Sequence, residues 1–490
     1  MSKNFISFSF LLLAGMLFSS CYKDLGNYDY NPINEVAIEG INESYTAMLG
    51  ERFQITPDLK FTMDQSGDTS AYTYEWTGLR MDGALPAERK KDIAVTRNLD
   101  MIMTLPPAPY HVYYRVTDKK TGVTWQKEFN LTVVSSIYEG WLVMNDVNNK
   151  TRVDMISIID SQPRIIIDVL KTVGSNLPEQ GKPKYIYTYS YQPNTYGIYI
   201  STESGTNRIH PETFDWLSTY NIKYEMLENV PADFTTNSIN SPTGAVAYMH
   251  AGNDVFYYYR VYQINYSLPI NIIKGESQTF VASPFIAANS TPAAVLYDVT
   301  EKRFLRHINN ESTVTAMPDG DLFDYNTGKD LVYMTYSNFG SGEVFSILKD
   351  PLDGKFYLAR FTFPRTGSIV QTYYDEMTAT DIEQGENFVV SPSLGYIFYN
   401  VGGKLYEYDM SLKSSKLMLD KGAESISLLS FNKSKERDKL IVCSYDPATA
   451  DAGIGGTMEL YTVPPVQGDL VLENKYEGFG KIVSVDYRIR

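Results

Sequence analysis

Two acidic segments contain the carboxylates of this sequence that are best placed for chemistry. The segment "YYDEMTATDIEQGE" (373–386) contains five of them: Asp375, Glu376, Asp381, Glu383 and Glu386. Two carboxylates act as general acid and base in glycoside cleavage when a fold brings them together in space. Because the chain has 58 acidic residues, clustering is also typical of a solvated face, and we expect the solvated face.

The second acidic segment, "PDGDLFDYNTGKD" (318–330), offers oxygen ligands of the kind that calcium prefers. Its polar residues are Asp319, Asp321, Asp324, Asn326 and Asp330. Their spacing departs from the EF-hand pattern. The segment is therefore predicted to be a solvated loop, and no metal site is assigned to it.

Other residue types that carry catalysis are scarce or badly spaced. The four histidines, His111, His210, His250 and His307, lie in different segments without a zinc-binding spacing. Neither a GxSxG nucleophile motif nor a GxxxxGK[ST] phosphate loop occurs. Cys443 lies in an apolar, strand-like run and is predicted to be a buried core residue. We therefore predict no catalytic residue, no cofactor and no enzymatic activity.

Aromatic residues are the candidates for ligand binding. Trp216 and Tyr220 lie in a polar loop, whereas Tyr258 and Tyr262 share one face of a predicted strand, "DVFYYYRVYQINY". Tyr and Trp provide rigid, half-polar contact area for sugars or peptides. The alternative for the strand residues is packing between neighbouring sheets.

The elements that position these residues are predicted to be β-strands. Runs of five to eight alternating residues, rich in Tyr, Phe, Val, Ile and Thr, are separated by Gly, Asn, Asp and Pro almost throughout the 490 residues. Residues 36–135 suit a β-sandwich, in which Trp76 fills the core and residues 110–134 form two strands about a turn.

Residues 136–490 are predicted to form a β-propeller. Strand clusters return every 40 to 50 residues, the period of propeller blades, and about seven can be counted. In the clearest unit, strands are predicted over 396–400, 404–409 and 416–419, and the adjacent Gly402 and Gly403 suit a two-residue hairpin between the first two. The last strand, 480–488, is placed to close the ring against the first blade.

The N-terminus predicts where the protein is found. A lysine, an apolar run too short to span a bilayer and two serines precede Cys21. This arrangement resembles a lipobox, in which the cysteine is acylated. Residues 1–20 are therefore predicted to be a signal peptide, Cys21 a lipid anchor to the membrane, and residues 21–35 a tether. The net charge of −15 argues against nucleic-acid binding.

The opening "CYKDLGNYDY" (21–30) resembles the start of the PKD-like surface lipoproteins of Bacteroidota, with Lys23 and Asp24 as a surface-export signal. The run 116–118 followed by "FNLTVV" resembles the end of a PKD-type immunoglobulin-like domain, and the chain terminus is similar as well. The resemblance implies an outer-membrane lipoprotein that is an accessory of a SusC/SusD-like importer, a TonB-dependent barrel with a capture lipoprotein.

That resemblance implies a non-catalytic role in gathering oligopeptides or glycans at the cell surface. Two alternatives stay open. One is a glycan hydrolase or lyase with carboxylates meeting at the propeller mouth, and the other is an adhesion or scaffold protein.

Overall fold

The protein is described by a computed structural model over residues 34–82, 89–159, 161–189, 197–259, 265–291, 293–308, 310–364 and 367–489. Cys21, the predicted signal peptide and most of the predicted tether lie outside these ranges. The chain divides into two compact units, one ending at Val134 and the other beginning at Ser135. Within the described ranges, no helix has the length and apolar character needed to cross a membrane.

The first unit is a β-sandwich. Its strands are β1 (Val36–Glu39), β2 (Ser44–Met48), β3 (Arg52–Ile55), β4 (Asp58–Phe61), β5 (Tyr72–Arg80), β6 (Lys90–Ala94), β7 (Leu99–Ile102), β8 (Ala108–Asp118) and β9 (Thr124–Val134). Five of them form a sheet in the order β2-β9-β8-β5-β6, while β1 pairs with β4 and β3 with β7. The pairing of β2 with β9 is parallel.

Trp76 fills the core of the sandwich, as the sequence predicts. Its side chain is fully buried. The centroid of its ring lies 4.2 Å from that of Tyr114 and 6.3 Å from that of Phe129. Its indole Nε1 donates a hydrogen bond of 2.7 Å to the carbonyl of Thr96. The predicted pair of strands over 110–134 corresponds to β8 and β9, joined through Gly122 at a φ of 70°.

The second unit consists of many short strands and one short helix, α1 (Val169–Thr172). The strands of its first half are β10 (Gly140–Val147), β11 (Lys150–Ile159), β12 (Gln162–Ile166), β13 (Pro183–Tyr189), β14 (Gly197–Thr202), β15 (Gly205–Ile209), β16 (Ser238–Asn240), β17 (Val246–Ala251), β18 (Asp254–Tyr259), β19 (Ala287–Asn289), β20 (Ala293–Asp298), β21 (Arg303–Ile308) and β22 (Thr315–Ala316). Those of its second half are β23 (Asp330–Ser337), β24 (Glu343–Lys349), β25 (Phe356–Thr362), β26 (Gln371–Glu376), β27 (Glu386–Val390), β28 (Ile397–Val401), β29 (Lys404–Asp409), β30 (Ser414–Asp420), β31 (Ser425–Phe431), β32 (Lys439–Tyr445), β33 (Gly456–Thr462), β34 (Val471–Phe479) and β35 (Lys481–Arg488).

These strands form seven antiparallel sheets within the described residues, which are the blades of a propeller. Blades 2 and 3 are β13–β15 and β16–β18, and blades 4 to 7 are β19–β22, β23–β26, β27–β30 and β31–β34. Blade 1 combines β10, β11 and β12 with the last strand of the chain, β35, which pairs with β10. The predicted number of blades and the predicted closure by the final strand are both confirmed.

Buried apolar clusters fill the interfaces between successive blades. The cluster that closes the ring combines Cys443 and Met458 of blade 7 with Trp141 and Tyr487 of blade 1. Because each blade is covered on both faces, its central strands are almost continuously buried rather than alternating. Cys443 lies in this core with its side chain fully buried, and burial raises the pKa of its thiol above the usual value.

Candidate functional site

Each blade has one edge strand that begins its sheet, and we call these seven strands the inner strands: β13, β16, β19, β23, β27, β31 and β35. In blade 1 the inner strand is β35, the last strand of the chain. On β13, Ile186 N donates to Ser484 Oγ and Thr188 N donates to Asp486 Oδ2 of β35, at 3.2 and 2.6 Å. These contacts advance together along both strands, so β13 and β35 run in the same direction. The inner strands therefore begin at one end of the ring, the entry mouth, and end at the other, the far mouth.

The entry mouth also receives the hairpins between the second and third strands of each blade, because the strands within a blade alternate in direction. It contains a cavity of about 760 Å³, within the range of small-ligand sites. Its lining residues come from the inner strands and from these hairpins: Phe285, Val332, Tyr333, Gly385, Glu386, Asn387, Phe388, Gly402, Ser425, Ile426, Ser427, Tyr445 and Lys481.

One wall of this cavity is aromatic. The ring of Tyr333 meets Phe285 edge-on at 5.4 Å between centroids and lies 6.1 Å from Phe388 at an angle of 32°. Phe388 is buried, whereas Phe285 and Tyr333 are partly exposed. Burial raises the pKa of Tyr333 to about 12, so its hydroxyl keeps its proton at neutral pH. The wall therefore offers aromatic ring faces to a ligand.

The remaining lining carries two charges of opposite sign. The Lys481 ammonium lies 5.1 Å from the centroid of the Tyr445 ring, a cation–π contact. Glu386 begins β27 and is the single carboxylate among the described lining residues. Neither side chain forms an ion pair or a hydrogen bond with another described residue. A ligand can therefore bind either charge without breaking an ion pair or a hydrogen bond among the described residues.

The far mouth is closed by hydrogen bonds within the protein. Asp486 accepts hydrogen bonds from Thr188 N and Oγ1, from Asn432 Nδ2 and from Tyr487 N, at distances of 2.6 to 3.1 Å. Lys433 Nζ donates to Asn240 Oδ1 at 3.2 Å. Burial raises the pKa of Asp486 above its usual value. These groups are satisfied by one another, so this end is a structural closure.

The aromatic residues predicted from sequence lie elsewhere than in the entry-mouth cavity. Trp216 and Tyr220 are partly exposed beside β15, where Trp216 Nε1 donates to Asn207 Oδ1 at 3.1 Å and the Arg208 guanidinium lies 4.9 Å from the Tyr220 ring centroid. Tyr258 is 9% exposed and packs with Tyr266 in the cluster between blades 2 and 3. Tyr258 therefore packs between neighbouring sheets, which was the alternative to ligand binding for the strand residues. Tyr262 lies outside the described residues.

The carboxylates of the two acidic segments lie in different parts of the propeller. Asp375 pairs with Lys413, and Glu376 with Lys355 at 2.7 Å, on the outer strand of blade 5. Of the carboxylates in that segment, Glu386 alone lines the cavity. In the second acidic segment, Asp330 pairs with Lys302 at 2.8 Å. The described ranges hold no group of three or more His, Cys, Asp or Glu residues arranged for a metal ion.

Comparison with known proteins links the N-terminal third of the chain to one family. Residues 21–183 match the family model of the PKD-like family, a stretch that includes the whole sandwich and the strands β10 to β12. A search of curated proteins gave no significant match.

Three solved structures illustrate the structural similarity. A quinonprotein alcohol dehydrogenase-like protein from Bacteroides thetaiotaomicron is 12% identical, with a TM-score of 0.42, over 91% of this chain and 96% of its own. A DUF4784 family protein from Bacteroides caccae is 9% identical, with a TM-score of 0.34, over 92% and 98%. YCF48 from Cyanidioschyzon merolae is 9% identical, with a TM-score of 0.36, over 65% and 98%.

Proposed function

We propose that this protein is a non-catalytic binding protein whose propeller holds an oligopeptide or glycan at the entry mouth. The observation that carries the proposal is the cavity of about 760 Å³, which combines an aromatic wall with unpaired polar groups. Aromatic faces and a few convergent polar groups are typical of ligand sites. A hydrolase with paired carboxylates is less favoured, since Glu386 is the single carboxylate among the described lining residues.

We further propose that Cys21 anchors the protein in the outer membrane of a Bacteroidota cell, facing outward, as an accessory of a SusC/SusD-like importer. The support is the signal-peptide pattern before Cys21, the opening sequence after it and the match of residues 21–183 to the PKD-like family. Acylation buries long alkyl chains, and each CH₂ contributes about 0.8 kcal/mol to membrane binding. Cys21→Ala is expected to release the protein from the membrane fraction.

The partner is tested by mild detergent extraction of the tagged protein from its own membrane, followed by identification of the co-purifying proteins. Recovery with an importer barrel and its capture lipoprotein is the expected result. Recovery alone would contradict the accessory role and would make the adhesion or scaffold alternative the next to test.

The binding site is tested by comparing two tyrosine variants. Tyr333→Ala removes the ring at the centre of the aromatic wall, whereas Tyr220→Ala removes a partly exposed ring beside β15. Loss of binding to peptide and glycan digests in the first variant alone is expected. Loss of binding in Tyr220→Ala alone would instead place the binding site in the loop that contains Trp216 and Tyr220.

A further inference from the structure

We infer that the entry mouth selects a zwitterionic oligopeptide, with Lys481 binding its terminal carboxylate and Glu386 its terminal ammonium. This inference rests on the proposed function, because it specifies the chemistry of the ligand in the same cavity. Its basis is the presence of two unpaired, opposite charges in the lining of one cavity.

Lys481 has no ion-pair partner among the described residues. Several other lysines of blades 6 and 7 are paired with carboxylates: Lys416 with Asp469, Lys421 with Glu459, and Lys439 with Glu473. Lys481 is half-buried and instead faces the Tyr445 ring. A partly desolvated ammonium without a counter-ion gains from an incoming carboxylate, because hydrogen bonds between charged groups are stronger than those between neutral ones.

Glu386 provides the complementary charge. It lies at the first position of β27, two residues before the buried ring of Phe388, and its exposed carboxylate has no ion-pair partner among the described residues. A peptide ammonium, which has three donors, fits an acceptor-only carboxylate.

The rest of the cavity suits the middle of a peptide. Phe285 and Tyr333 present partly exposed rings, on which an apolar or aromatic side chain can pack. Ser425 and Ser427 also line the cavity and carry hydroxyl groups that both donate and accept, as peptide amides require. A neutral glycan can hydrogen-bond to these groups through its hydroxyls but neutralises neither charge, and an acidic glycan neutralises Lys481 alone.

The experiment is calorimetric titration of the full-length protein in detergent with peptides of three to six residues that carry a central phenylalanine. Each peptide is used with free termini, with an amidated C-terminus and with an acetylated N-terminus. Either modification is expected to weaken binding roughly ten- to a hundredfold, which corresponds to one hydrogen-bonded charge. Lys481→Gln should bind the free and amidated peptides equally, and Glu386→Gln the free and acetylated peptides equally.

Two control variants match these substitutions. Lys404→Gln and Glu383→Gln remove exposed charges close to the entry mouth that do not line the cavity, and both should discriminate among the peptides as the unmodified protein does. Equal binding of all three peptide forms by the unmodified protein would overturn the inference.

Other outcomes separate the inference from the proposed function. Binding of a neutral oligosaccharide such as maltohexaose, with no peptide binding, would overturn the peptide assignment and leave the binding function standing. Binding of neither class in the cavity would overturn both.

Discussion

Asp486, on the last strand of the chain, accepts a hydrogen bond of 2.6 Å from the backbone N–H of Thr188, which lies 298 residues earlier in the sequence. The same carboxylate accepts from Asn432, in the segment that follows β31. Asp486 therefore ties blade 1 to both blade 2 and blade 7, at the position where the ring closes. Antiparallel pairing of β35 with β10 completes this closure.

Replacing Asp486 with alanine is expected to destabilise the propeller by about 2 kcal/mol, because buried backbone and amide donors lose a charged acceptor. Chemical unfolding measures the loss, and hydrogen exchange should show faster opening of β35 and β10. Asp469→Ala removes a carboxylate that is 95% exposed and pairs with Lys416, so it should cost less than about 1 kcal/mol. Equal effects of the two substitutions would contradict the closing role of Asp486.

His307 should make the stability of the protein rise with pH. Its Nε2 contacts the carbonyl of Glu311 at 2.8 Å and must donate, so the hydroxyl of Tyr248, 2.9 Å from Nδ1, donates to that nitrogen. Burial lowers the pKa of His307 to about 4, whereas the unfolded value is about 6.5. Between these values the unfolded chain binds the extra proton, so stability is complete above pH 6.5 and is lost as the pH falls towards 4.

The expected loss from His307 is about 3 kcal/mol across that window. Unfolding free energies of the unmodified protein and of His307→Gln, measured from pH 4 to 7, should therefore differ in slope. His111 lies on the surface of the sandwich, where hydrogen bonds with Asn130 and Glu128 raise its pKa, so its contribution has the opposite sign and His111→Gln should leave the loss of stability towards pH 4 in place. An unaltered slope in His307→Gln would mean that the pKa of this histidine is the same in the folded and unfolded protein.

Glu407 should make the stability of the protein fall as the pH rises, the opposite of the effect of His307. It is fully buried in blade 6, and neither carboxylate oxygen has a hydrogen-bond partner among the described residues. Burial, with a contribution from Asp409, raises its pKa to about 7. Because the unfolded pKa is about 4.3, stability is complete below that value and is lost as the pH rises through 7.

Glu407→Gln removes this titration and keeps the shape of the side chain. The substitution should stabilise the protein at pH 8 relative to its effect at pH 4, by up to about 3 kcal/mol. Thermal unfolding at the two pH values checks the difference, and Glu383→Gln, an exposed position, should show none. A pH-independent effect of Glu407→Gln would contradict the assignment.

Trp76→Phe tests the core of the sandwich. The substitution removes the hydrogen bond to the Thr96 carbonyl and leaves part of the core unfilled, so a loss of about 2 kcal/mol is expected. Trp125→Phe, on the partly exposed side of β9, should cost less. The two losses are compared in the unfolding transition of the sandwich, and a larger effect at Trp125 would contradict this view of the core.

Much of the fold could be predicted because its signals are local. The adjacent Gly402 and Gly403 mark a hairpin, and Gly402 has a φ of 56°. The predicted strand 404–409 coincides with β29. The repeat of such units predicted about seven blades, and the position of the final strand predicted the closure of the ring. Strand bounds, by contrast, were displaced by one or two residues, as for β28 and β30, because the pleated pattern continues into the turns.

The candidate site could not be predicted in this way. Lys481 and Glu386 are 95 positions apart, and nothing in their local sequence separates them from the other charged residues. Tyr258 shows the reverse case, since its aromatic strand suggested a binding surface, and the structure places it between two blades.

The sequence by itself determined the β-strand content, the approximate number of blades and the position of Trp76 in a core, because alternation and turn residues act over a few positions. The tertiary structure decided which residues share the entry mouth. That choice depends on the ring, which brings the first residues of β27, β31 and β35 to one cavity and leaves Lys481 and Glu386 there without an ion-pair partner among the described residues. Proximity of this kind arises only when the last strand closes the ring against the first blade.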